Sequence, residues 1–269
     1  MTAHETPLPI AVQLYSLRTL PGSFDETLAR VAAAGFTAVE TVGDHGCTAD
    51  EMRALLDKHR LRVISTHLQL DALREHMREI IAFNRAIGND TLVVPFIPWL
   101  VGEKRADVFQ EAGRLLGELG QRCQAEGMHL LYHNHGWEMV AIDGKLALDW
   151  LFDSAGAENL GFEPDLAWIT FAGVDPVALL QRYAGRCPRV HVKDLAPKGE
   201  RPEDALRDGA VMADVGYGTL DWPRLLAAAR DAGAAWYIVE HDNPRDPVAS
   251  VSRSLAYLRD VLPGVLRAH

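Results

Sequence analysis

Cysteine is scarce in this chain. Cys47, Cys123 and Cys187 are the three among 269 residues, far apart and odd in number. That excludes a disulfide framework and a thiolate zinc site, and it sets the expectation of a reducing compartment, the cytoplasm. Basic charge is also short: 27 Lys and Arg stand against 37 Asp and Glu, a formal net charge of -10. No basic face is evident that would grip a phosphate backbone, so nucleic acid is not an expected partner. No uninterrupted apolar run approaches the ~20 residues needed to span a bilayer, so no membrane partner is expected either. The opening MTAHETPLPI lacks the basic-then-apolar pattern of a secretory signal. Absent too is a glycine-rich phosphate loop after the first apolar run, which removes the best support for a dinucleotide-binding fold.

What is present is a regular alternation. With 48% hydrophobic and 24% charged residues, the chain has the material for a sizeable core. Short β-branched or apolar runs alternate with longer segments of helical period from end to end. The runs are IAVQLYSL, TAVETV, LRVISTHL, TLVVPFI, MHLLYHNH, LGFEPDL, RVHVKD and WYIVEHD. Ser23 with Glu26, and Thr48 with Glu51, are spaced as capping boxes that open helices. Asp175-Pro176 places a cap and a first-turn proline at the start of another. Eight strand–helix pairs without a compositional break predict an α/β fold, a single (β/α)8 barrel over residues 1–269.

In such a barrel, chemistry is carried at the C-terminal ends of the strands. Read along the chain, those ends hold Gln13 and Tyr15, Glu40, His67, His133 and His135, Asp165, His191 and Lys193, and Glu240. So many ionisable groups converging on one mouth exceed what solubility requires. Mixed imidazole and carboxylate is the donor set for one divalent ion, with Mn2+ favoured over Mg2+, Co2+ or Zn2+. Strand alternation puts His133 and His135 on one side. Gln13, Glu40, His67 and Trp168 are the expected substrate contacts, Trp168 by stacking on a sugar ring. The bland readings are rim polarity for Glu40 and His67, packing for Trp168 and Trp137, and a structural ion pair with Asp194 for Lys193.

The segments FEPDLAW, HVKD and VEHD on the sixth to eighth runs resemble, in order, the sugar phosphate isomerase/epimerase family of the xylose isomerase-like barrels. YHNHGWE on the fifth is similar to a subgroup that includes inosose-type and 3-keto-sugar-processing members. The resemblance spans essentially the whole chain. It implies one metal held by strands five to eight, with Asp165, His191 and Glu240 matching three of the ligands. The fourth position departs from the pattern. Many members carry a Glu at the end of strand five, where this chain has His133, and Glu138 follows five residues later as the competitor. A symmetrical mechanism with two Glu residues is therefore not carried over.

The activity implied is isomerisation or epimerisation of a small sugar, keto-sugar or inositol-like polyol through an enediolate. Glu240 or His135 is the expected base, Glu138 a further catalytic candidate, and Lys193 the group that steadies the oxyanion. Loss of a β-substituent from the same intermediate makes a lyase or dehydratase the alternative. A non-catalytic sugar-binding barrel is the reading from a different class. The many exposed barrel helices leave room for a homo-oligomer.

Overall fold

The computed structural model describes residues 8–200 and 211–268, with the side chain of residue 200 left out. Eight parallel strands carry the architecture: β1 (Ile10–Gln13), β2 (Ala38–Val42), β3 (Arg62–His67), β4 (Thr91–Val94), β5 (His129–His133), β6 (Gly161–Glu163), β7 (Arg189–Val192) and β8 (Trp236–Val239). Their order in the sheet is β6-β5-β4-β3-β2-β1-β8-β7. The circle closes between β6 and β7 through an isolated parallel bridge that pairs Asp165 with His191. There the His191 amide donates to the Pro164 carbonyl at 3.0 Å, and lower down the Phe162 amide donates to Arg186 at 2.7 Å. The expected (β/α)8 barrel is the fold.

The helices follow from local chemistry. Ser23 and Thr48 both form complete capping boxes with Glu26 and Glu51, opening α1 (Phe24–Ala34) and α2 (Ala49–His59). Asp175, Asp221 and Asp246 cap α8 (Pro176–Arg182), α9 (Trp222–Asp231) and α10 (Pro247–Arg267), each with proline in the first turn. Between these lie α3 (Leu70–Glu75), α4 (Met77–Ala86), α5 (Ala106–Ala125), α6 (Ala147–Ala155) and α7 (Leu166–Phe171). Residues 70–86 form two helices rather than one, broken at His76, whose backbone is not helical. The first run is strand only to Gln13 and then turns into a short 3-10 helix, Leu14–Leu17. No helix among the described residues is long and apolar enough to cross a membrane.

Side chains on a strand point alternately to the two faces, so what fills the barrel changes with height. Ala11, Ala38, Ile64 and Ile238 form an apolar plug near the bottom, with Trp236 packed against it. Two residues up the same faces of β1, β2 and β8 come Gln13, Glu40 and Glu240. A side chain at Gly161 on β6 would meet the tip of Leu131, which would have to move. The barrel is therefore greasy below and densely ionised above.

Candidate active site and metal centre

The upper layer is built from the residues that follow the plug. His133, Asp165, His191 and Glu240 each offer a ligand atom, all within 4.8 Å of one another. These are the four metal ligands expected from the sequence. Each is fixed by its element. Asp165 caps α7, with Oδ1 accepting from the Ala167 and Trp168 amides at 3.0 Å, which leaves Oδ2 to face inward. Asn134, between His133 and His135 just past the end of β5, accepts from the Asp165 amide at 2.9 Å and ties the end of β5 to that of β6. His191 Nδ1 meets Glu240 Oε2 at 2.7 Å.

The electrostatics follow from burial and from unlike charges in contact. His133 is held well below the usual imidazole range by burial and by the neighbouring cationic groups, so it stays neutral and free to donate a lone pair. Its Nδ1 is buried without a hydrogen-bond partner among the described residues. Burial alone would lower His191 too, but Glu163, Glu40 and Glu240 outweigh it and raise it well above the usual imidazole range in the metal-free cluster. Burial raises Asp165 despite Lys193 alongside. Glu240 moves the other way: Lys193 and His191 overcome its burial and keep it ionised. A buried set of two imidazoles and two carboxylates whose donor atoms converge within 4.8 Å fits a divalent cation.

Lys193 is almost fully buried, and its Nζ touches Asp165 Oδ2 at 2.9 Å, Glu240 Oε2 at 2.8 Å and Asp242 Oδ1 at 2.6 Å. It does not pair with Asp194, contrary to the bland expectation. Asp194 points the other way and gathers the backbone N–H groups of Leu195, Gly216, Gly218, Thr219 and Leu220 and the Trp222 indole. That anchor holds the segment after β7; a side chain at Gly218 would displace the Asp194 carboxylate. Residues 201–210 of the segment after β7 lie outside the described residues.

Above the cluster opens a cavity of about 580 Å³, lined by Tyr15, His67, Phe96, His133, His135, Trp137, Trp168, Lys193, Glu240 and Asp242 among others. One wall is aromatic. His135 stacks on Trp137 with centroids 4.3 Å apart, and Phe96 meets Trp137 edge-on at 5.6 Å. Burial pushes His135 down to about 3, and its Nδ1 has no partner among the described residues. Trp168 lies in the same wall with a buried, unpaired indole N–H. His67, Trp168, His135, Lys193 and Glu240 thus all reach the cavity.

Three expected residues do not. Gln13 and Glu40 are fully buried beneath it, joined to each other at 2.7 Å, so neither is placed to touch substrate. Glu138 is buried in the wall of the barrel, accepting from the Tyr132 hydroxyl at 2.6 Å and the His135 amide at 2.9 Å. It belongs to no ligand cluster among the described residues, whereas His133 belongs to both. The geometry thus brings His133, and not Glu138, into the grouped donor atoms. Both Glu138 oxygens are occupied away from the cavity.

Glu163 was missed. It is fully buried, and its Oε2 lies 2.9 Å from His67 Nε2, 3.3 Å from His191 Nε2 and 3.5 Å from His133 Nδ1. A second ligand grouping, His67, His133, Glu163 and His191, results. The signal was available, because Glu163 is two residues before Asp165 and so shares its face.

A family profile described as xylose isomerase-like TIM barrel matches residues 28–261. The chain belongs to that family. Among curated proteins it is 26% identical over 254 residues to the rhizopine catabolism protein MocC of Rhizobium meliloti, covering 83% of this chain and 75% of that one. It is 25% identical over 264 residues to an inosose dehydratase of Clostridium botulinum, covering 87% and 86%. Among solved structures, a sugar phosphate isomerase/epimerase from Parabacteroides distasonis superposes with a TM-score of 0.78 at 20% identity, covering 96% of both chains. That last likeness carries the fold.

Proposed function

We propose that this xylose isomerase-like barrel is a metal-dependent enzyme that isomerises or epimerises a small sugar, keto-sugar or inositol-like polyol by proton transfer next to a carbonyl. The observation that carries the reading is the His133, Asp165, His191 and Glu240 cluster at the floor of a cavity with one aromatic wall. A divalent ion held by those four residues would supply Lewis acidity toward a substrate carbonyl. Two nitrogens and two oxygens suit Mn2+, our favoured ion, as well as Co2+ or Zn2+. The free cysteines are consistent with a reducing, cytoplasmic setting.

The chain's own residues divide the remaining work. The Trp137 and Trp168 faces provide the stacking surface for a polyol ring, and His135 stands in the same wall to hydrogen-bond a hydroxyl. The Lys193 ammonium, held by Asp242, lies against the cavity, and its charge steadies the oxygen that gains charge when the α-proton leaves. Glu240 or His135 takes that proton. Both are weak bases here, Glu240 because two cations face it and His135 because it is buried, so the reaction depends on an acidified C–H.

The alternative is a dehydratase. Lys193 lies 2.8 Å from Glu240, so an acid stands beside a base. Loss of the α-proton would leave its electrons to form C=C as the β C–O bond breaks, and Lys193 would protonate the departing hydroxide. An inosose dehydratase among the similar proteins favours keeping this reading. The test is to incubate metal-loaded protein with inososes and ketoses in heavy water. Deuterium at the α-carbon of recovered substrate supports proton transfer, and an absorbing enone product selects dehydration. Stoichiometric binding with neither outcome leaves a sugar-binding barrel and sinks the enzyme.

A further inference from the structure

Below the four ligands lies a second tier of charge that touches no substrate space. Glu40 is fully buried; its Oε2 sits 2.7 Å from His191 Nε2 and 3.0 Å from His67 Nε2, while Gln13 and the Ser65 hydroxyl donate to the same carboxylate. Glu163 faces His133 Nδ1 and His67 Nε2 from the neighbouring strand. The two imidazoles that belong to both ligand groupings are thus held between tiers. His133 turns Nδ1 down to Glu163 and Nε2 up to Asp165, 3.7 Å away. His191 turns Nε2 down to Glu40 and Nδ1 up to Glu240.

We infer that Glu40 and Glu163 are positioning residues: Glu40, hydrogen-bonded to His191 Nε2, and Glu163, whose charge lies 3.5 Å from His133 Nδ1, draw the ring protons downward and leave His191 Nδ1 and His133 Nε2 as the metal-facing nitrogens. This rests on the metal reading above. A neutral imidazole carries one proton, and a carboxylate beside one nitrogen draws the proton there and frees the lone pair on the other. Such partners also make the ligating nitrogen more basic, and losing one typically weakens metal binding 10- to 100-fold. His67 bridges the two carboxylates, contacting Glu40 and Glu163 through the same nitrogen, and so sets their spacing. The lower tier therefore acts on the metal through the ligands. The rival is that Glu163 is itself a ligand, in the grouping with His67, His133 and His191.

The experiment is a Mn2+ and Co2+ titration of metal-free protein, read by calorimetry and by the Co2+ visible spectrum, with apo melting temperatures recorded alongside. The proteins are wild type, Glu163→Gln and Glu40→Gln. Both variants are expected to keep one ion per chain with affinity 10- to 100-fold lower and with the Co2+ spectrum of wild type. Unchanged affinity in both overturns the inference. So does a Glu163→Gln variant whose Co2+ spectrum changes to that of a site with one ligand fewer, which would make Glu163 a direct ligand. A wild type that takes up no ion defeats the metal reading itself, and the inference with it; binding by wild type with no effect of the lower tier defeats the inference alone.

Discussion

Asp165 and His191 meet as the parallel bridge that closes the barrel, so the seam of the fold and the metal cluster are the same place. Asp165 serves both. Its Oδ1 caps α7 and its Oδ2 faces the cluster beside Lys193. The two roles separate by substitution. Asp165→Asn retains an oxygen for the cap and loses the charge, so metal binding is expected to fall sharply, and both Asp165 variants lose the buried contact with Lys193. Asp165→Ala also loses the cap, at about 1 kcal/mol more. Elemental analysis beside urea melts checks it; equal stability of the two variants would show that the cap contributes nothing.

The strand-five assignment gives a second test. About one ion per chain is expected in wild type, with loss in His133→Ala and His191→Ala and retention in Glu138→Ala. Glu138 is held by Tyr132 and the His135 amide, away from the cluster. Metal retained in His133→Ala and lost in Glu138→Ala would reverse the assignment.

Much of this was legible because the barrel converts sequence period into place. Alternation put Asp165, His191, Lys193 and Glu240 at one mouth, and the capping boxes at Ser23 and Thr48 marked helix starts correctly. What alternation does not give is height. Gln13 and Glu40 have the inward phase expected of site residues, yet they sit under the cavity, closed off by the histidines above. Glu138 misled because distance along the chain says nothing about direction: the chain leaves β5 after His133 and turns Glu138 back toward Tyr132. Glu163 shares the inward period of Asp165 two residues on, so the pattern marks both, but nothing in it says that Glu163 meets three histidines.

Lys193 offers the sharpest test of charge balance. Lys193→Met leaves Asp165, Glu240 and Asp242 without their shared cation, and removing one partner from a buried ionic group typically costs about 3–5 kcal/mol. The apo variant is expected to melt well below wild type, and Mn2+ is expected to raise its melting temperature more than it raises that of wild type, because the ion replaces the missing charge. Turnover of the loaded variant should fall ~100- to 10,000-fold if Lys193 is the proton donor. Full turnover in the loaded variant would remove it from the chemistry.

Glu138 predicts a pH dependence that needs no metal. Burial pushes its carboxyl up to about 7 from an ordinary 4.5, against the donors from Tyr132 and His135. The folded state therefore holds a proton that the unfolded chain releases earlier. Its contribution to stability is complete below about pH 4.5 and is lost as pH rises toward 7, a change on the order of 3 kcal/mol. In Glu138→Gln the amide has an oxygen for the His135 N–H and an N–H for the Tyr132 hydroxyl, so the fold is expected to persist without this titration. Measured as the difference between variant and wild type in urea melts of the apo proteins, the variant should gain relative stability from pH 5 to 7.5 and then level off. A difference that stays flat across that range would mean Glu138 is ionised throughout, with the donors from Tyr132 and His135 outweighing burial.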